Sequence, residues 1–377
     1  MPLSRERLTS TFLELVTIDS ESYHEGSISR HLQGIADKFG LESFSDDAGE
    51  QLGSETGNLY IWVPARGLDL PPLCLSAHMD TVAPGRGIMP EVRDGVIRST
   101  GRTVLGADCK AGVAAILELL YMSAEGGLRH GPLEVLFSVA EEQGLRGIRH
   151  IDVNRLASRR AVVLDGSGAV GLAVIASPTQ DNLDFVVRGK AAHAGVEPET
   201  GVNAIQAAAA AIAAMPLGRI DASTTANIGI IEGGIAVNIV PDRVVVRGEA
   251  RSHEPALLLK QEEEMVRVAR KACEEYGAAL DVDIRRAYDG YAIPASEPLL
   301  KLAKLAAAKS GLAFDAVPTG GGSDANFLNG MGITALVLNI GARSCHTEDE
   351  YIEQREMENL TRMVAAMLEL SETELST

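Results

Sequence analysis

The run LCLSAHMDTVAPG, residues 73–85, ends a row of apolar residues on an imidazole and a carboxylate, His78 and Asp80. In a strand, residues i and i+2 face the same side. The two groups therefore share one face where the chain turns at Thr81, Pro84 and Gly85. Such a pair is either a hydrogen-bonded surface contact or a metal ligand with the group that orients it, because metal-bound histidine commonly gives its second N–H to a neighbour. Four further clusters repeat the theme. GRTVLGADCKAG places Asp108 in a glycine-containing loop before a helix, a place that equally suits a helix N-cap. LFSVAEEQGL ends a strand on Glu141 and Glu142, VVLDGSG ends one on Asp165, and LNIGARSCHTEDEYI carries His346 beyond the last strand. Taken singly, these also read as solvated acids, an Asp-Gly turn and a surface histidine.

The elements that must position these groups alternate through the first half of the chain. NLYIWVP (58–64), LCLSA, PLEVLFSVA (132–140) and RRAVVLDG (159–166) have the texture of strands. KAGVAAILELLYMSA (110–124) carries Val113, Ile116, Leu117 and Leu120 at helical spacing. This alternation predicts an α/β fold, a central mostly parallel sheet with helices on both faces. In such sheets the strand ends lie along one edge, where sites form. His78, Asp80, Asp108, Glu141, Glu142, Asp165 and His346 all fall at or just beyond such ends. Five carboxylates gathered there repel one another unless cations neutralise them. Two imidazoles among carboxylates suit zinc, and also manganese or cobalt. Two ions sharing one bridging carboxylate would use the whole set.

From about residue 178 the texture changes. DNLDFVVRGKAAHAG and PDRVVVRGEARSH alternate like half-exposed antiparallel strands. Helices are expected around 203–215 and 256–276, then the chain returns to a helix (299–309), a strand (334–340) and a closing amphipathic helix. The expected division is a metal-binding domain of residues 1–176 and 292–377 interrupted by a smaller inserted α+β domain, 177–291.

Composition narrows the classes. With 377 residues, 46% hydrophobic and 23% charged, the chain is long for a single core and otherwise ordinary for a globular protein. A net charge of −18 argues against nucleic acid, whose binding rests on Lys and Arg facing phosphate. Cys74, Cys109, Cys273 and Cys345 are widely spaced and form no CxxC pair, which points to a reducing compartment. The N-terminal stretch reads as an amphipathic helix with Leu8, Phe12, Leu15 and Val16 on one stripe rather than a leader. The most apolar run, 204–217, is too short to span a bilayer. A cytoplasmic protein without membrane association is the expectation.

The ordered set SAHMDTV, GADCKAG, AEEQGL, VLDGSG, AAHAG and CHTEDEYI resembles the M20 family of metallopeptidases along nearly the whole chain, and within it the peptidase T-like, tripeptidase branch. The resemblance implies a zinc-peptidase-like fold with an inserted lid and dimerisation domain, acting on short peptides as a homodimer with two divalent ions. It also implies roles. His78, Asp108 and Asp165 would hold one metal and Asp108, Glu142 and His346 the other, with Asp108 bridging. Asp80 would orient His78, and Glu141 would be the general base. His193, in GKAAHAG, would stabilise the oxyanion, in some relatives from the dimer partner. Asn238 and Arg251 sit where relatives place substrate-binding groups; the run Gly320–Gly322, with Gly321 and Gly322 as the expected substrate contacts, reads either as backbone N–H groups offered to an anion or as a plain turn. Metal binding takes the pKa of water from near 16 toward about 7, which a neighbouring carboxylate can exploit.

Two residues depart from the family pattern. Cys109 follows Asp108 where relatives often have Asp or Asn, and its side chain is expected to point away from the metals, since the linking peptide is usually cis in relatives. Gly320 stands where peptidase T proper carries an Arg that meets the substrate carboxylate. The expected activity is an aminopeptidase of tripeptides or dipeptides. The same residues near the metals would serve an N-acyl amino acid deacylase or a carboxypeptidase. A non-catalytic peptide-binding relative would have lost Glu141 or a ligand, and this chain retains all of them.

Overall fold

A computed structural model describes residues 3–375. The chain divides into two compact units: Ala176–Tyr291, and the polypeptide on either side of it. The larger unit is built on a nine-stranded sheet. Its centre is four neighbouring strands in the order Leu133–Ser138, Leu73–His78, Arg160–Gly166, Thr334–Asn339, each paired in parallel with the next. Antiparallel strands flank them, Leu59–Val63 on one side and Leu172–Ser177 on the other. Every residue of Leu73–His78 and of Leu133–Ser138 is buried, as expected for parallel strands covered on both faces.

Helix Ala107–Ala124 packs against this sheet with Val113, Ile116, Leu117 and Leu120 buried. The close approach has a sequence signature: a Cβ on Gly112 would lie 2.3 Å from the Leu164 carbonyl oxygen. Helices Arg5–Thr17 and Gln354–Glu374 lie against the same helix. The N-terminal helix buries Leu8, Phe12, Leu15 and Val16, the stripe read from its spacing. A short three-stranded sheet, Tyr351–Glu353, Val96–Ser99 and Pro90–Arg93, was not foreseen. Pro90–Arg93 and Val96–Ser99 form a hairpin across Asp94-Gly95, a local turn signal that sequence reasoning missed, whereas the three residues Tyr351–Glu353 join from some 250 positions away with no local pattern.

The smaller unit is a five-stranded antiparallel sheet with Arg243–Ser252 and Thr179–Arg188 near its middle and Ala279–Tyr288 at one edge. Leu183, Phe185, Val187, Val244 and Val246 point one way and form a core with Ala204, Ala207, Ala208 and Ala211 of helix Ala204–Ala214 and with Leu258, Met265 and Ala269 of helix Pro255–Glu275. The alternating burial of Thr179–Arg188 is that of a strand with one covered face. Among the described residues, no helix is long and apolar enough to cross a membrane.

Candidate metal centre

The four parallel strands deliver their chemistry at their carboxyl ends. His78 is the last residue of its strand, and Asp165 the penultimate residue of the next. Glu141 and Glu142 form a short 3₁₀ turn just past Ser138, and His346 follows Asn339 at seven residues' distance. Asp108 lies at the start of helix Ala107–Ala124, where Asp108 and Cys109 have non-helical backbone angles and are joined by a cis peptide. Ala140, entering the glutamate turn, is left-handed with φ 48°, and its N–H donates to the buried Glu25 carboxylate at 2.9 Å.

His78 Nδ1 lies 3.0 Å from the main-chain oxygen of Asp80 and 3.5 Å from its carboxylate. The carbonyl accepts the ring N–H and fixes the tautomer that leaves Nε2 free as a ligand. The Asp80 carboxylate does more than face the ring. It accepts the Ser22 hydroxyl at 2.7 Å and the main-chain N–H groups of Glu141 and Glu142 at 3.0 and 3.2 Å. One buried side chain thus links the His78 strand end to the glutamate turn.

His78 Nε2 stands 3.3 Å from Asp108 Oδ1 and 3.3 Å from Asp165 Oδ1. His346 Nε2 stands 3.3 Å from Asp108 Oδ2 and 3.0 Å from Glu142 Oε1. Charge-assisted N–H···O bonds are shorter, about 2.7–2.9 Å. Ligand atoms set about 2.0–2.1 Å from a tetrahedral ion lie about 3.3–3.4 Å from one another. Three of the four spacings therefore match the edges of coordination shells that share Asp108, one oxygen to each, and the His346–Glu142 spacing is shorter at 3.0 Å. The residues fit a pair of divalent ions.

Glu141 is buried and places a carboxylate oxygen within 4.8 Å of ligand atoms of His78 and Glu142, outside the four close pairs. Burial, then the Asp165 carboxylate, pushes its carboxyl well above the usual range. Glu142 and Asp165 are raised too, burial being the largest cause in each. Burial also opposes ionisation of Asp108, but hydrogen bonds from His346 and His78 hold it below the carboxylate range. His346 is carried up to about 10 by Asp108 and then Glu142. The imidazoles thus stand in as the positive charge that this acidic pocket demands.

Cys109 Sγ donates to the Leu164 carbonyl at 2.6 Å while lying within 4.8 Å of the ligand atoms of His78, Asp108 and Asp165. Gly321 and Gly322 line a cleft of about 470 Å³ that opens over the cluster, together with Leu172, Val174, Val317 and Asn339. His193 and Asn238 belong to the smaller unit and come together there: His193 pairs with Ile239 across an antiparallel bridge, and the Ala194 N–H donates to the Asn238 carbonyl at 3.0 Å. Arg251, on strand Arg243–Ser252, is engaged by both carboxylate oxygens of Glu249 at 2.9 and 2.8 Å. Sequence reasoning missed the supporting acids Glu25, Asp324 and Glu350. Glu25 and Glu350 are ordinary acids in loops, and Asp324 an ordinary acid in the first turn of helix Asp324–Gly330, until the fold buries them.

A model of peptidase family M20/M25/M40 matches residues 74–370. Uncharacterized protein YqjE of Bacillus subtilis (strain 168) is 39% identical over 367 residues, covering 97% of this chain and 99% of its own. Among solved structures, a tripeptidase from Staphylococcus aureus subsp. aureus Mu50 superimposes with a TM-score of 0.91 at 37% identity, covering 98% of both chains. Aminopeptidase PepT from Bacillus cereus ATCC 10987 gives a TM-score of 0.86 at 40% identity, covering 97% of this chain and 98% of its own. The shared fold, the retained histidines and carboxylates, and the family match lead to one conclusion: the chain belongs to peptidase family M20/M25/M40 and is a metal-dependent peptide hydrolase.

Proposed function

We propose that this protein is an aminopeptidase that releases the N-terminal residue of tripeptides or dipeptides, using two zinc ions, with manganese or cobalt as substitutes. The observation that carries the reading is the set of four N···O spacings between 3.0 and 3.3 Å around a shared Asp108. His78, Asp108 and Asp165 would hold one ion, and Asp108, Glu142 and His346 the other. When bound, such a pair acidifies water and balances negative charge developing on the scissile carbonyl oxygen.

Glu141 is then the base that takes the proton of the attacking water and passes it to the leaving amine. Asp80 positions the base by holding the N–H groups of Glu141 and Glu142. His193 stabilises the oxyanion, and removing one such donor typically costs about 2.7–4 kcal/mol in the barrier. Asn238, Arg251, Gly321 and Gly322 contact the substrate. The smaller unit acts as lid and dimerisation domain of a cytoplasmic homodimer. Exposed Ile235 and Val237, at 86% and 103%, support an interface on that unit.

The aminopeptidase named in one structural relative and the tripeptidase named in the other support the substrate class. The test is hydrolysis of a panel by the zinc-, manganese- and cobalt-loaded protein: a free tripeptide, a free dipeptide, an N-blocked tripeptide and an N-acetyl amino acid. Cleavage of the free peptides alone is expected. Preference for the blocked or acetylated compounds would overturn the aminopeptidase reading in favour of a deacylase or carboxypeptidase.

A further inference from the structure

Two of the proposed ligands, Asp108 and His346, lie on segments that one side chain ties together. Asp108 is reached through Leu105, Gly106 and Ala107, with Gly106 in the left-handed region at φ 73°. His346 has φ 64° and lies in a loop closed by Arg343 and Tyr351, whose main chains exchange hydrogen bonds of 2.9 and 3.1 Å. Four residues after His346, the Glu350 side chain leaves its own loop and enters the other. Its Oε2 accepts the N–H groups of Leu105 and Gly106, both at 2.7 Å, and its Oε1 accepts the N–H of Asp108 at 3.0 Å. Glu350 is 2% exposed, so these bonds are not shared with bulk water. A carboxylate suits this place because all three partners are donors; an amide would turn an NH₂ group toward at least one of them.

We propose that Glu350 is a positioning residue that sets the distance between Asp108 and His346 and so makes the second ion's site. The inference rests on the two-ion reading of the cluster. His78 pairs with Ser138 in the sheet, and Asp165 lies between Leu164 and Gly166, which pair with Leu338 and Asn339, so neither depends on the clasp for its place. His346 depends on it, because its loop meets the Asp108 loop through Glu350. Loss of the clasp therefore weakens the ion beside His346 most, while the ion beside His78 and Asp165 feels it only through the shared Asp108. Supporting partners of metal ligands typically account for about 10–100-fold in metal affinity.

The experiment is equilibrium dialysis of metal-free wild type, Glu350→Gln and Glu350→Asp against graded zinc, with metal content and the melting temperature of each metal-free protein measured in parallel. Wild type is expected to hold two ions. Glu350→Gln is expected to bind one ion 10–100-fold more weakly and the other with a clearly smaller loss, with a metal-free melting temperature near that of wild type and kcat recovering as zinc is raised. Glu350→Asp, which keeps the charge on a shorter stem, should fall between them and serves if the amide variant does not fold. Two ions bound with unchanged affinity, or both lost together with a lowered metal-free melting temperature, would overturn the role. Fewer than two ions in wild type would instead overturn the two-ion reading and this inference with it.

Discussion

Replacing Glu141 with glutamine removes a proton acceptor and leaves the size and position of the side chain unchanged. The turn that holds residue 141 is fixed by its main-chain N–H to Asp80, so the variant keeps the geometry of Glu142 beside it. The four N···O pairs that define the metal shells do not include Glu141, and both ions should remain. A positioned general base contributes about 10²–10⁴-fold, which at about 1.36 kcal/mol per tenfold amounts to about 2.7–5.4 kcal/mol in the barrier. The fall should appear in kcat with KM little changed.

A second readout comes from the buried charge. The folded protein raises the Glu141 carboxyl well above its ordinary 4.5, through burial and then Asp165. Over the pH range between that ordinary value and the raised one, the folded state holds a proton that the unfolded state has lost. Stability therefore falls as pH rises through this range. Glutamine carries no such penalty, so metal-free Glu141→Gln should melt above metal-free wild type at pH 8. The assays are steady-state hydrolysis of a free tripeptide, metal analysis and a pH series of melting curves. Turnover above a tenth of wild type, or loss of an ion, would refute the role given to Glu141.

Three further outcomes are expected. Gly112→Ala would bring a Cβ to 2.3 Å from the Leu164 carbonyl oxygen; overpacking of this kind costs about 1–3 kcal/mol, and a denaturation midpoint matching wild type would contradict the close packing of helix on sheet. Cys109→Ser should keep both ions, because its hydroxyl can replace the thiol as donor to Leu164; loss of one ion on metal analysis would make the cysteine a ligand. In the smaller unit, Glu262 lies by the Asp181 carboxylate and is pushed up to about 8, by burial first and then by Asp181. Between pH 4.5 and about 8 the folded state is the more protonated, so the unit loses stability as pH rises. Glu262→Gln should flatten that slope in melting curves from pH 5 to 9; an unchanged slope would refute it.

Much of the architecture is legible because its signals are local. The parallel strands announce themselves as short apolar runs, and the strand residues His78 and Asp165 share an edge once the sheet is parallel. Glu141, Glu142 and His346 follow the same logic, since a loop just past a strand end stays near that end. The supporting acids are illegible for the opposite reason. Glu350 acts on residues 105–108 and Glu25 on residue 140. Those meetings exist only after residues more than 100 positions apart are folded together. The role of Asp80 was half legible. Its side chain shares a face with His78, yet the ring N–H lies nearer the main-chain carbonyl, and the carboxylate mainly serves the glutamate turn. Period-two spacing fixes a face but does not decide between a carbonyl and a carboxylate of the same residue. The strand Tyr351–Glu353 is too short to carry a pattern, although it helps close the loop that presents His346.

The central claim is that two ions share Asp108. Anomalous X-ray diffraction at the zinc edge, from crystals grown with zinc, tests it most directly. Two peaks about 3.5–4 Å apart are expected, one beside His78 and Asp165, the other beside Glu142 and His346, with an oxygen of Asp108 on each. A single peak, or a peak bound through Cys109 in place of Asp108, would contradict the claim.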